Sequence, residues 1–290
     1  MKMTFSRAML VRIALTGAIF AGLGIAATNA SAEQWTKTYS VNGRPQVSAD
    51  TNDGSVKIIT GDTKQVVFRV YFEGYTVDKD LTITSNQTGD TFEVSARTRS
   101  HWGWGGIHRN LRIEVYMPKD GDVQVNTGDG SVEAQAVTGN LNVHTGDGSI
   151  RVEGAKGEIR LRTGDGSIEA RNLDGKVEAD SGDGHITLVG RFDGLDVKTG
   201  DGSINAQAQS GSKIVSGWNI RTGDGSVDVT LPGDLQATID ASTHDGHISL
   251  GIPVTVEGTF STSQIHGKMN GGGQSLTIQT GDGSIRLARS

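Results

Sequence analysis

Carboxylates recur in this chain at fixed intervals. The string Thr-Gly-Asp-Gly-Ser, or a close variant, places Asp129, Asp147, Asp165, Asp183 and Asp201 eighteen residues apart. It returns at Asp224, Asp245 and Asp282, and a divergent copy, Asn52-Asp53-Gly54-Ser55, stands upstream. The chemistry open to such a row is cation binding. If the copies stack at the ~4.8 Å spacing of strands, adjacent carboxylates repel by about 0.9 kcal/mol even in water, and Ca²⁺ would relieve that. Calcium β-rolls, however, carry Gly-Gly-x-Gly-x-Asp at both turns of each coil. Here one turn per unit carries an Asp, and no copy has that pattern. The column from Asp129 to Asp201 is therefore the calcium candidate. The plainer expectation is that each Asp accepts N–H groups of its own Gly-rich turn, with no metal and no cofactor.

Other reactive residue types are sparse. The seven histidines show no ligand spacing. His185 and His247 replace the Ser of the motif and read as turn substitutions, as does His244. Serines fall mostly in turns, and neither a Gly-x-Ser-x-Gly elbow nor a His-Glu-x-x-His helix occurs. With no cysteine there is no thiolate nucleophile and no disulfide. The acidic residues follow the repeat and form no cluster of their own. The one gathering of large aromatics beside glycines is His101-Trp102-Gly103-Trp104-Gly105-Gly106, followed by His108. Trp102 and Trp104, with His101 and His108, are the candidate contact surface, since exposed aromatics dominate recognition. The alternative is that they fold over the end of a core.

The elements that must position these residues are short strands. Each unit holds two runs of period-two alternation, such as Ser167–Ala170 and Lys176–Asp180, separated by Gly-containing turns. The motif glycines, Gly146, Gly148, Gly164 and Gly166 among them, are expected to supply the positive φ of a tight reversal. Two architectures fit: a parallel solenoid, with residue i on residue i+18, and an antiparallel meander, with those residues two strands apart. The outward columns favour the solenoid, because opposite charges sit one period apart: Arg162 with Asp180 and Lys198, Arg160 with Glu178, Arg151 with Glu133 and Glu169. Inward columns are aliphatic: Val132, Ile150, Ile168, Ile186 and Ile204 on one strand, Val125, Val143, Leu161, Ala179 and Val197 on the other. The hydroxyls of Thr127, Thr145, Thr163, Thr199 and Thr222, with Ser181, share the inward parity. Buried hydroxyls need partners, so these are read as a structural ladder.

The fold expected is all-β: a parallel β-solenoid with about 18 residues and two strands per coil. Residues 33–120 form an aromatic-rich N-terminal β region that caps it, with strands at 66–72 and near 81–84, 91–96 and 111–117. Residues 121–290 form the repeat, interrupted at 251–275 by an irregular insertion and resuming in a last coil at Leu276. Residues 1–32 read as a signal peptide: Lys2, Arg7 and Arg12, an apolar run, and Ala30-Ser31-Ala32 as the cleavage site. An uncleaved membrane anchor is the alternative. Losing this segment takes the formal net charge from −6 to −9. An acidic exported chain is a poor nucleic-acid binder, and no second apolar run would give the mature chain a transmembrane helix.

An export signal, a β-rich N-terminal part, tandem Thr-Gly-Asp-Gly-Ser repeats and a Gly-rich segment leading to Leu-Thr-Ile-Gln-Thr-Gly-Asp-Gly-Ser-Ile-Arg-Leu together resemble the DUF4097 family of bacterial envelope proteins. The resemblance covers nearly all of 33–290. It implies an adhesin-like role and supplies no catalytic residues. The expected function is a non-enzymatic, exported envelope structural or binding module in the periplasm, cell envelope or outside the cell. Its partner would be an envelope or surface protein or a glycan. A carbohydrate-active β-helix enzyme and a calcium-binding β-roll-like protein are the alternatives.

Overall fold

Alternating apolar and polar residues with few helix-favouring runs leave the chain one way to bury itself, as strands. The computed structural model describes residues 33–99, 109–256 and 261–290, and no helix occurs among them. The expected leader lies outside the described residues.

The N-terminal strands are β1 (Glu33–Ser40), β2 (Gln46–Thr51), β3 (Ser55–Gly61), β4 (Gln65–Glu73), β5 (Leu81–Thr88), β6 (Thr91–Thr98) and β7 (Asn110–Pro118). The regular repeat follows as β8 (Asp122–Thr127), β9 (Val132–Gln135), β10 (Leu141–Thr145), β11 (Ile150–Glu153), β12 (Lys156–Thr163), β13 (Ile168–Ser181), β14 (Ile186–Thr199) and β15 (Ile204–Ala208). The rest are β16 (Trp218–Thr222), β17 (Val227–Leu231), β18 (Ala237–Thr243), β19 (Ile248–Gly251), β20 (Thr255–Val256), β21 (Gln264–Met269), β22 (Ser275–Thr280) and β23 (Ile285–Arg289).

All the strands join one sheet with a solenoid-like path. Through the repeat, pairing is parallel and in register at the period of the sequence: Val125 with Val143, Val143 with Leu161, Leu161 with Ala179 and Ala179 with Val197. The strands after each motif do the same, Val132 with Ile150 and Ile150 with Ile168. The strands form two series. One runs β5–β6–β2–β8–β10–β12–β13–β14–β16–β22–β18–β21, the other β1–β4–β7–β3–β9–β11–β13–β14–β15–β17–β23–β19. The long strands β13 and β14 bend around the second turn and belong to both series. The inward aliphatic columns of the two series form a single buried cluster. Each fully buried Ile or Leu contributes about 1.5–3 kcal/mol.

Spatial order departs from chain order at both ends. The unit β2–β3 lies between β6–β7 and β8–β9. At the other end β22–β23 lies between β16–β17 and β18–β19. The segment from Leu276, expected to be the terminal coil, is thus an internal one. The region expected to be irregular holds β21, which runs antiparallel along β18, and β20 beyond it.

Three of the four series ends finish in antiparallel strands; at the fourth, β19 runs parallel to β23. At the N-terminal end, β1, β4 and β5 are antiparallel to their neighbours. Tyr39 of β1 packs its ring edge-on against Phe68 at 5.9 Å and tilted against Phe92 at 5.8 Å. Its hydroxyl meets Ser85 Oγ of β5 at 2.7 Å. One aromatic side chain therefore joins the edge strands of both series, with its apolar body on the core and its polar tip satisfied.

Candidate functional site

The repeated motif forms one edge of the stack, and its chemistry is directed at the neighbouring coil. Thr145 Oγ1 donates to Gly130 O at 2.9 Å, Thr163 to Gly148 O at 2.8 Å, and Ser181 Oγ to Gly166 O at 2.9 Å. Thr199 and Thr222 continue to Gly184 O at 3.0 Å and Gly202 O at 2.8 Å, and Thr127 reaches Gly54 O at 2.9 Å. The same hydroxyls accept from their own turn: Gly148 N donates to Thr145 Oγ1 and Gly166 N to Thr163 Oγ1, each at 3.2 Å. Thr145, Thr163, Ser181 and Thr222 so fill a donor and an acceptor role, and Thr127 and Thr199 the donor role, which offsets the cost of burying them.

The glycines answer a different demand from the one expected. None of Gly146, Gly148, Gly164 or Gly166 has positive φ. They are needed because the coils approach too closely for a side chain. A Cβ on Gly148 would stand 2.1 Å from Gly130 O, and one on Gly166 would stand 2.1 Å from Gly148 O. The first glycines of each motif chain together, Gly146 N to Gly128 O at 2.6 Å and Gly164 N to Gly146 O at 2.5 Å. Positive φ falls instead on the second turn, at Gly139, Gly157 and Gly175.

The aspartates Asp129, Asp147, Asp165, Asp183 and Asp201 are exposed. The turn N–H groups do not bond to them; the Thr hydroxyls take that role. Their carboxylates lean along the stack instead, so that a Cβ on Gly182 would lie 3.2 Å from Asp165 Oδ1. No group of three or more His, Asp or Glu side chains among the described residues is arranged to hold a metal ion. His185 Nδ1 accepts from Ser203 N at 3.1 Å, and His247 Nδ1 meets Ser284 Oγ at 3.1 Å, so both rings stitch adjacent turns. The loop candidates His101, Trp102, Trp104 and His108 lie outside the described residues.

The outward charges pair along the columns. Arg151 meets Glu169 at 3.3 Å, Lys57 meets Glu133 at 2.9 Å, and Arg160 meets Glu178 at 3.4 Å. Arg162 stands opposite Asp180 in register, yet its guanidinium bonds Glu178. These cations hold the carboxyls below the usual range: Glu178 chiefly through its bond from Arg162, Glu169 through Arg171 and then Arg151, Glu133 through Lys57. On β7 the buried Glu114 accepts from Tyr116 at 2.9 Å, which raises the phenol's pKa. Arg69 and Arg112 lie over the rings of Tyr116 and Tyr71 at 4.6 and 4.9 Å. Chemically this arrangement fixes register; it does not converge on a reacting atom.

Fold and edge together define a β-repeat protein whose coils interlock through backbone-directed Thr and Gly side positions. The Toastrack DUF4097 family matches residues 41–288, and the chain belongs to that family. No curated protein matches it. Among solved structures the chain is similar to a candidate lipid-binding protein from Parabacteroides distasonis, at 15% identity and TM-score 0.49, covering 88% of this chain and 96% of that one. It is similar also to candidate adhesins from Bacteroides fragilis (11% identity, TM-score 0.47, 90% and 99% covered) and Parabacteroides merdae (11%, 0.43, 88% and 96%).

Proposed function

We propose that this chain is an exported, non-enzymatic β-solenoid of about 18 residues and two strands per coil, acting in the cell envelope as a structural or adhesive binding module. In this reading residues 1–32 are a signal peptide, 33–120 are the N-terminal β region that caps the stack, and 121–290 carry the repeat. The observation that supports it is the use made of polar groups. Hydroxyls are spent on the next coil's carbonyls, and carboxylates are paired with cations along columns. An enzyme needs polar groups converging on one cleft, whereas here they are distributed at the period of the repeat. The outer faces and the segment carrying Trp102 and Trp104 are left for contact with an envelope or surface partner. No helix among the described residues is long and apolar enough to cross a membrane.

The test is fractionation of cells carrying the full chain, followed by pull-down from envelope extract and assay of polysaccharide cleavage. Recovery with the exported fraction, retention of an envelope component and no new reducing ends are expected. Recovery in the cytoplasm, or glycan turnover lost on replacing a specific carboxylate, would overturn the reading.

A further inference from the structure

The outer side of the first strand series changes character along its length. On β12 and β13 its columns carry charged side chains that pair with one another: Arg160 bonds Glu158 at 2.5 Å and Glu178 at 3.4 Å, and Lys176 reaches Glu158 at 3.6 Å. On β2, β8 and β10 the same columns hold chiefly amides, a hydroxyl and an imidazole, with Asp50 and Asp122 among them. Ser48, Gln124 and Asn142 stand side by side in register, flanked along the strands by Gln46, Asn126 and His144. Gln46, Gln124, Asn142 and His144 are exposed, and Ser48 and Asn126 are partly so. None of these six side chains has a hydrogen-bond or ionic partner among the described residues, in contrast to Glu158, Arg160, Arg162 and Glu178 on β12 and β13. They lie in and beside a shallow groove of about 550 Å³ that crosses β6, β2, β8, β10 and β12 and ends at Arg160. Carboxylates at its margin are already neutralised, Asp50 by Arg97 at 2.6 Å and Asp122 by Arg44 at 2.8 Å; Glu93 has no such cation among the described residues.

We propose that this face of β6, β2, β8 and β10 binds a neutral polyhydroxylated polymer, a glycan chain lying across the coils. The inference rests on the binding-module reading and assigns its ligand class. Amide and hydroxyl groups offer both donors and acceptors without charge, the set that matches a ligand made of hydroxyls. Strands ~4.8 Å apart with same-face residues about 6.8 Å apart along each strand present those groups as a grid, suited to a ligand that repeats. The other occupants fit less well. An anionic polymer would meet Glu93 and an acidic chain. A peptide strand adds to a sheet edge rather than a face. A lipid needs apolar surface, and the exposed large hydrophobics among the described residues, Val77 and Val215, lie elsewhere.

The test uses the full chain in affinity electrophoresis through dextran, galactomannan and xyloglucan, with alginate as the anionic counterpart. Gln124→Ala combined with Asn142→Ala is compared with Thr187→Ala combined with Asn205→Ala on the other series. At least one neutral polysaccharide should retard the protein. The first variant should weaken binding about tenfold, as loss of two hydrogen bonds implies, with an unchanged melting temperature; the second should bind as the parent does. Failure of all three neutral polymers to bind, or full binding by the Gln124/Asn142 variant, overturns the proposal. So does a loss confined to Trp102→Ala with Trp104→Ala, which would move the site to the loop. Envelope pull-down that survives in the Gln124/Asn142 variant would sink this site while leaving the binding-module reading intact.

Discussion

Replacing Gly166 by Ala should be among the costliest single-methyl additions in the molecule. The new Cβ would lie 2.1 Å from Gly148 O and 2.5 Å from Gly148 C. Both are backbone atoms of the adjacent coil, so no side chain can swing aside. Restoring a tolerable contact requires the coils to separate by about 1 Å at this edge, in an interior packed at crystal density. That movement also pulls Thr163 Oγ1 off Gly148 O, now at 2.8 Å, and stretches the 2.5 Å bond from Gly164 N to Gly146 O. Overpacking costs about 1–3 kcal/mol, and an orphaned buried hydroxyl–carbonyl pair about 1–3 kcal/mol more. A loss of about 2–6 kcal/mol follows, a fall in melting midpoint of about 10 °C for a chain of this size. Urea and thermal unfolding followed by circular dichroism measure it. Gly61→Ala is the matched control: its Cβ would meet nothing within 4 Å and its φ is not positive, so the change should stay within about 0.5 kcal/mol. If Gly166→Ala unfolds within about 1 kcal/mol of Gly61→Ala, the close-approach account of the motif is wrong.

The remaining predictions concern the same interlock. Thr145→Val keeps the shape but strips the hydroxyl, leaving Gly130 O and Gly148 N without it; it should cost about 1–3 kcal/mol, and Thr145→Ser markedly less, as Ser181 already serves in that column. Glu178, Glu169 and Glu133 have depressed carboxyl pKa values in the fold. Their stabilisation is therefore full above the ordinary carboxylate pKa and is lost as pH falls below about 4 through the folded values; Glu178→Gln should flatten the acid limb of a melting-point profile, and an unchanged slope would refute the pairing. Melting curves with calcium and with chelator should coincide; a midpoint raised by more than a few degrees would return the Asp column to the role of a cation site. Truncation before Ser275 removes an internal unit, not an end, and should abolish protease resistance across 237–251 as well as shortening the stack, which a peptide map after limited digestion would show.

Much of the stacking was legible in the sequence because an 18-residue period with alternating charge columns leaves little freedom in register: Arg151 needs Glu169 beside it, and the pairing places it there. The Thr column was readable from its parity. The glycine role was not, since a turn and a close approach ask for the same residue, and only the 2.1 Å geometry separates them. Chain order at the ends was hidden for a related reason. Every copy of the motif presents a Thr or Ser hydroxyl and the same glycine carbonyl, so the unit at 275–289 fits between any two others. His244 in place of the first glycine was the available hint. It belongs to the outermost copy, where its N–H bond to Gly281 O has lengthened to 2.8 Å. The amide-rich face of β2, β8 and β10 was not legible in the sequence, because Ser48, Gln124 and Asn142 are residue types that any solvent-facing strand position carries.

The central claim, that coils interlock through the motif edge with the C-terminal unit inserted, can be tested by cysteine pairing in a chain that has no cysteine of its own. The account places Asp282 between Asp224 and Asp245. Asp224→Cys with Asp282→Cys, and Asp282→Cys with Asp245→Cys, should each oxidise to an intramolecular disulfide, being one strand spacing apart. Asp224→Cys with Asp245→Cys should not, because two spacings, about 10 Å, exceed the Cα separation a disulfide spans. A disulfide in the 224/245 pair, with none in the two pairs containing 282, would contradict the account.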